Sequence, residues 1–361
     1  MADNADFVWS GIRLPRKALK NRPACGSQFS AQKRRRTGAR AVWLAQSGFA
    51  DMFRRFFASR FNAIVHLAEL VCFMPVEGPD FICIGMPKAG TSWLYEQLSG
   101  HPDFWMPRVK ELQYLNHRRP PLRHVDRHLR QIDRPAAQRE RPAKRASDAA
   151  QRAFLAEIKA LAGQDMNIER YVALFRHKST RISGDISPPY VSLREDVIAE
   201  IARRLPEVKI LLLVREPIER LWSGISMNHR KGKFDASVLE HPKRFEEYFL
   251  EARLDDHLFP TRVLNRWRRM APNVQFRSFL FDDIVAHAAG VRHDVLAFLG
   301  ADEEKGGGPL PPDYNRKANA PKLPLSEGIK EVLLGHFADE IRTCAELFGG
   351  SAQQWVQRYE L

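Results

Sequence analysis

Cysteine is scarce in this chain. The four present, Cys25, Cys72, Cys83 and Cys344 among 361 residues, stand far apart. No C-x-x-C pair or zinc-ligand spacing occurs, which excludes a zinc ribbon, a dithiol redox motif and a disulfide framework. Reduced thiols and a cytoplasmic location are expected. Long apolar runs are missing too: the best stretch, residues 61–76, is broken by His66 and Glu69, whereas a membrane span needs about 20 predominantly apolar residues. No transmembrane span is expected. The first 40 residues also hold no apolar core of the kind a secretory leader requires. Acidic residues are rare at the start, with 3 Asp/Glu against 13 Lys/Arg in the first 60 residues, so +10 of the formal +14 lies there and +4 is left for the other 301. The excess positive charge therefore belongs to an N-terminal arm, and no specific nucleic-acid partner is expected for the folded body. No cluster of metal-ligating residues and no internal repeat is visible.

What the chain has is an alternation of apolar runs with helix-like periods. Strands are expected over 81–85, 181–185, 208–214 and 274–280, an extended stretch over 108–115, and helices over 91–99, 148–161, 167–176, 194–205, 242–253, 261–270, 291–299 and 326–348. Residues 301–312, rich in Gly and Pro, read as a loop. This pattern predicts an α/β domain, a mostly parallel central sheet flanked by helices, over residues 78–361. A basic, poorly ordered arm is expected over 1–77, and a basic insertion over 117–146, where 10 Lys/Arg face 3 acidic residues.

Two segments carry the chemistry. After the apolar run at 81–85 come Pro87, Lys88, Ala89, Gly90, Thr91, Ser92, Trp93 and Leu94. A strand, a small-residue loop and a helix start make an anion cradle, because free backbone N–H groups and the helix dipole converge on the ligand. Lysine precedes the glycine here, whereas a Walker A loop has it after the second glycine. The other segment places Arg215 at the end of the apolar strand 208–214, Pro217 at a first helical position and Ser223 two turns on. A guanidinium at a strand end suits a phosphate, which its planar fork pairs bidentately.

Both segments resemble the sulfotransferases that use 3′-phosphoadenosine 5′-phosphosulfate (PAPS). Their 5′-phosphosulfate loop reads Pro-Lys, a hydroxyl residue, Gly, two hydroxyl residues, any residue and Leu; only Ala89 departs from it. Their 3′-phosphate segment is matched at Arg215, Glu216, Pro217, Glu219, Arg220 and Ser223. The resemblance implies a three-layer P-loop-like α/β fold, PAPS as sulfuryl donor, adenosine 3′,5′-bisphosphate as product and no metal. It implies Lys88 on the leaving phosphate, residues 87–93 around the 5′ end, and Arg215 with Ser223 on the 3′-phosphate. Lys110 and Glu111, in Val109-Lys110-Glu111-Leu112-Gln113-Tyr114-Leu115, resemble the segment of the glycosaminoglycan (heparan) type in which the glutamate is the base and the lysine faces the sulfuryl group. Asp185, in Ser183-Gly184-Asp185-Ile186-Ser187-Pro188-Pro189-Tyr190, resembles the segment lining the acceptor cleft. It can orient the acceptor, serve as an alternative base or cap a turn. Arg316 and Lys317 fall where the family supplies a loop over the 3′-phosphate. The reaction implied is in-line transfer to a hydroxyl or amine of a small molecule or a glycan. Two other readings are a kinase-like nucleotide enzyme and a noncatalytic polyanion-binding protein.

Overall fold

The computed structural model describes residues 78–120, 149–251, 258–311 and 322–361. The N-terminal arm, most of the basic insertion, and Arg316 and Lys317 lie outside the described residues. Four parallel strands form one sheet: β1 (Phe81–Gly85), β2 (Gly184–Ile186), β3 (Lys209–Val214) and β4 (Gln275–Leu280), in the order β2-β1-β3-β4. Successive side chains of a strand point to opposite faces, yet all five residues of β1 and five of six in β3 are buried. Both faces must therefore be covered, which makes three layers. β4 is one of the two edges, and only its last two residues are buried.

The connecting helices are α1 (Thr91–Ser99), α2 (Ala149–Leu161), α3 (Ile168–Ala173), α4 (Glu195–Arg204), α5 (Pro217–Arg230), α6 (Pro242–Glu251), α7 (Pro260–Met270), α8 (Phe281–Ala286), α9 (Ala288–Leu299), α10 (Glu327–Phe348) and α11 (Gln353–Arg358). From β1 the chain goes to β2 on one side, then returns to β3 on the other. The ends of β1 and β3 thus flank a topological switch point, the crevice where open α/β sheets place ligands. Local chemistry sets the helix that lines it. Pro217 occupies the first turn of α5, and the Glu216 carboxylate accepts from the Ile218 and Glu219 amides at 2.8 and 2.6 Å. Tyr359, just after α11, donates its hydroxyl to the same carboxylate at 3.1 Å.

Three expectations change. The stretch 108–115 is not extended, since Glu111 and Gln113 both take left-handed backbone and a 3-10 turn follows at Tyr114–Asn116. The helix expected over 167–176 breaks into α3 and a 3-10 turn, Leu174–Lys178. Helices α8 and α11 were not anticipated, because six residues are under two turns and leave no period to read.

Candidate active site

The loop between β1 and α1 is shaped for an anion. Its first amide, Met86 N–H, donates to the Leu213 carbonyl at 2.7 Å, which pins the loop to the end of β3. Gly85 has φ 139°, and a Cβ there would lie 2.8 Å from the Pro188 carbonyl oxygen, so only glycine lets the strand end pass so close. Gly90 has φ 96° and opens α1 without any side-chain cap, and no acidic residue stands in the first turn. The first-turn amides are therefore left to a ligand. Lys88 has φ 69°, a conformation costing a non-glycine residue about 1 kcal/mol or more. Among the described residues its ammonium bonds only the Met227 sulfur, at 3.9 Å, a weak acceptor. Burial lowers its pKa to about 8, helped by the positive charges of Arg215, Arg230, Lys231 and Lys322. A half-buried cation amid like charges is what an anion with several charges would relieve.

The other motif meets this loop directly. Arg215 donates to the Lys88 carbonyl at 3.2 Å and to Glu219 at 3.1 Å, and its guanidinium lies 4.5 Å from the centre of the Phe281 ring. Burial pushes its pKa down, against the pull of Glu219. Glu219, Ser223 and Met227 follow each other at four-residue spacing along one face of α5. Since Met227 faces the Lys88 ammonium, half-buried Ser223 sits on the helix face that looks into the crevice. Arg220, by contrast, is wholly buried in the core, where its pKa falls to about 9. The two phosphate motifs thus form one continuous site.

Other expected residues take different positions. Pro87 is half-buried, Ala89 and Thr91 are buried under the loop, and Ser92 is half-buried. The Trp93 indole points inward and donates to the Leu310 carbonyl at 2.9 Å, so its ring is committed to holding residues 301–311. Residues flanking Arg316 and Lys317 are tied to both sides of the crevice. Leu310 is held by Trp93 of α1, and the Leu323 carbonyl and amide bond Trp222 and Ser226 of α5 at 2.7 and 3.2 Å.

Glu111 sits at the end of β2, next to β1. Its carboxylate accepts from Lys110 Nζ at 2.8 Å and from Gln113 Nε2 at 3.3 Å, with the side chains of Lys110 and Glu111 21% and 25% exposed. Lys110 is near enough to Cys83 in β1 for its charge to oppose the burial that pushes this thiol up to about 12. The Glu111 turn is thus bonded to the end of β2, the strand paired with β1, and β1 runs into the Lys88 loop.

Asp185, expected to orient the acceptor, serve as an alternative base or cap a turn, is held inside the protein. Its side chain is 2% exposed, and burial raises its pKa to about 6. One carboxylate oxygen accepts from the Ser187 hydroxyl at 2.7 Å, and the other from Tyr190 at 2.7 Å and Tyr171 at 3.2 Å. Three protein hydroxyls thus hold Asp185 inside the fold, away from open contact with the crevice.

Phe281, Glu219 and Met227 had been given no role in the site. Phe281 had a readable signal: it directly follows β4, beside the strand end that carries Arg215. Among the described residues no group of three or more His, Cys, Asp or Glu could hold a metal ion, and no helix is long and apolar enough to cross a membrane.

Comparison with known proteins agrees with this geometry. Carbohydrate sulfotransferase 15 of Rattus norvegicus is 28% identical over 256 residues, covering 61% of this chain and 43% of the relative. The Homo sapiens protein of the same name is 26% identical over 256 residues, with the same shares. The chain thus spans less than half the length of these relatives. A crystal structure of a sulfotransferase from Alicyclobacillus acidocaldarius shares the fold, with a TM-score of 0.50 over 74% of this chain and 95% of that chain at 21% identity. The model of the Sulfotransferase family matches residues 79–305, well over half of the sequence. The chain belongs to the sulfotransferase family.

Proposed function

We propose that this chain moves a sulfuryl group from PAPS to a hydroxyl of a carbohydrate acceptor. The observation that carries the reading is the 3.2 Å bond from the Arg215 guanidinium to the Lys88 carbonyl, which joins two anion sites into one crevice at the switch point. Two sites in one crevice suit a nucleotide with phosphate at both its 3′ and 5′ ends. The uncapped first turn of α1 and the crowded positive charge around Lys88 support the fit. The name of the carbohydrate relatives supports the acceptor class. Neither the kinase-like nor the noncatalytic reading is favoured.

In this reading the Lys88 ammonium and the amides of residues 90–92 hold the 5′ end, with Pro87, Ala89, Thr91, Ser92 and the Trp93 backbone shaping the cradle. Arg215 and Ser223 hold the 3′-phosphate, joined by Arg316 and Lys317. PAPS would supply an activated sulfuryl group on a phosphate leaving group. Lys88 neutralises charge growing on the leaving side, an effect worth about 3 kcal/mol for one preorganised donor. Glu111 takes the acceptor proton on the opposite side, and Lys110 steadies charge near the transferring group. The division into a basic arm over 1–77 and a catalytic domain over 78–361 belongs to the same proposal, supported by the family match over 79–305. So does a cytoplasmic location, supported by the free thiols of Cys83 and Cys344.

The direct test is to incubate the chain with PAPS and a neutral oligosaccharide, a uronic-acid polysaccharide or para-nitrophenol, and to identify products by mass spectrometry. Sulfate on a carbohydrate hydroxyl with release of adenosine 3′,5′-bisphosphate is expected. Sulfation of the phenol alone would refute the acceptor class.

Two further outcomes follow from the site. Arg215→Ala should weaken adenosine 3′,5′-bisphosphate by about 1.5 to 3 kcal/mol in calorimetry, as for a lost charge-assisted bond. Adenosine 5′-phosphosulfate, without a 3′-phosphate, should lose less, and only through the loosened Lys88 carbonyl. Equal losses would place Arg215 away from the 3′-phosphate. The second outcome concerns pH. Lys88 is charged below its pKa of about 8 and neutral above it, so kcat/KM for PAPS, which reports the free enzyme, should fall as pH rises through about 8. Bound phosphates favour the charged lysine, so the alkaline limb of kcat should lie higher. Coincident limbs would separate the lysine from the nucleotide.

A further inference from the structure

The turn that presents Glu111 is held by an unusual match of consecutive groups. Two amides of the turn, those of Glu111 and Gln113, bond two successive residues at the end of β2. The Glu111 amide donates to the Ile186 carbonyl at 3.2 Å and the Gln113 amide to the Ser187 hydroxyl oxygen at 3.0 Å. Ser187 in turn donates to Asp185 at 2.7 Å, so its oxygen is fixed to accept. Two residues of this turn, Glu111 and Gln113, have positive φ of 65° and 52°. Such backbone persists only where its surroundings over-determine it, and here the over-determination converges on one buried carboxylate. Tyr171 and Tyr190 hold that carboxylate from the other side. Tyr190 also lies at the next step of the turn, its hydroxyl oxygen accepting from the Leu115 amide at 3.4 Å.

We infer that Asp185 is a positioning residue for Glu111: it anchors the left-handed turn by fixing Ser187, which holds Gln113, and so aims the Glu111 carboxylate into the crevice. The inference rests on Glu111 being the base. Asp185 contributes no proton transfer of its own. Gln113, whose backbone is locked by Ser187 and whose side chain bonds Glu111 at 3.3 Å, carries the constraint to the carboxylate.

Hydrogen exchange of the full chain, with turnover measured alongside, separates this role from its rivals. In Asp185→Asn one donor must lose its acceptor, so the amides of residues 111–113 should exchange about tenfold faster or more, as in a local opening. Amides of β1 and β3 should keep their protection, and affinity for adenosine 3′,5′-bisphosphate should stay within about twofold. With PAPS and whichever carbohydrate the wild-type chain sulfates, kcat should fall by about tenfold or more, and adding Glu111→Gln should cost much less than it does alone. Ser187→Ala, a smaller change that keeps Asp185, should give the same pattern with smaller amplitude, and it covers the case of an Asp185→Asn chain that does not fold. Wild-type exchange at residues 111–113 in both variants would overturn the inference, as would losses in kcat that multiply. Faster exchange with undiminished turnover would instead overturn the base role of Glu111.

Discussion

Lys88→Ala is expected to lower kcat by about a hundredfold or more, the loss that follows removal of one preorganised donor to developing charge. The folded state should not suffer. Lys88 is the only ammonium in the loop, it is largely cut off from water, and it is repelled by Arg215, Arg230, Lys231 and Lys322. Among the described residues its one hydrogen-bond partner is a thioether sulfur at 3.9 Å, a contact of little worth. Taking it away relieves repulsion and removes no strong bond, so the ligand-free protein should melt at the same temperature or higher. Its stabilisation by adenosine 3′,5′-bisphosphate should shrink as affinity falls. That combination marks a residue kept for a ligand at some cost to the apo fold. Wild-type turnover in this variant would remove the lysine from the mechanism, and a large drop in apo melting temperature would make it structural.

Glu111→Gln is expected to lower transfer by about a hundredfold to ten-thousandfold, the range for loss of a general base, with nucleotide affinity unchanged. The substitution keeps the size of the side chain and one acceptor oxygen for Lys110 or Gln113, both of which now bond the carboxylate. The backbone that holds the turn is untouched, because the Glu111 amide bonds Ile186. Only basicity goes. Single-turnover measurement with saturating PAPS isolates the chemical step, and near wild-type rates there would mean that another group takes the acceptor proton.

What could be read from the chain divides along the distance of the interactions. The two anion motifs were legible because strand, loop and helix start are contiguous, and residues such as Gly90 and Pro217 mark the helix starts by local chemistry. The parallel sheet followed from unbroken apolar runs at β1 and β3. The Glu111 turn was not legible. Its residues read as extended, and what bends it is a pair of acceptors at Ile186 and Ser187, over 70 positions downstream. Asp185 misled for the same reason, since a short acidic residue before Ser and Pro reads equally as a base or a turn cap. Its actual partners, Tyr171, Ser187 and Tyr190, come together only in the fold. Trp93 belongs to the phosphate motif by position, yet its ring serves a loop more than 200 residues away.

The central claim is that one crevice, walled by the Lys88 loop and the Arg215 helix start, is built for phosphate at both ends of an adenosine nucleotide. Calorimetric titration with adenosine 3′,5′-bisphosphate, and separately with ATP and magnesium, tests it most directly. The bisphosphate should bind at least about a hundredfold tighter than ATP with magnesium, a gap of about 2.7 kcal/mol, and Arg215→Ala should close much of that gap. ATP with magnesium binding as tightly as the bisphosphate, or tighter, would contradict the account.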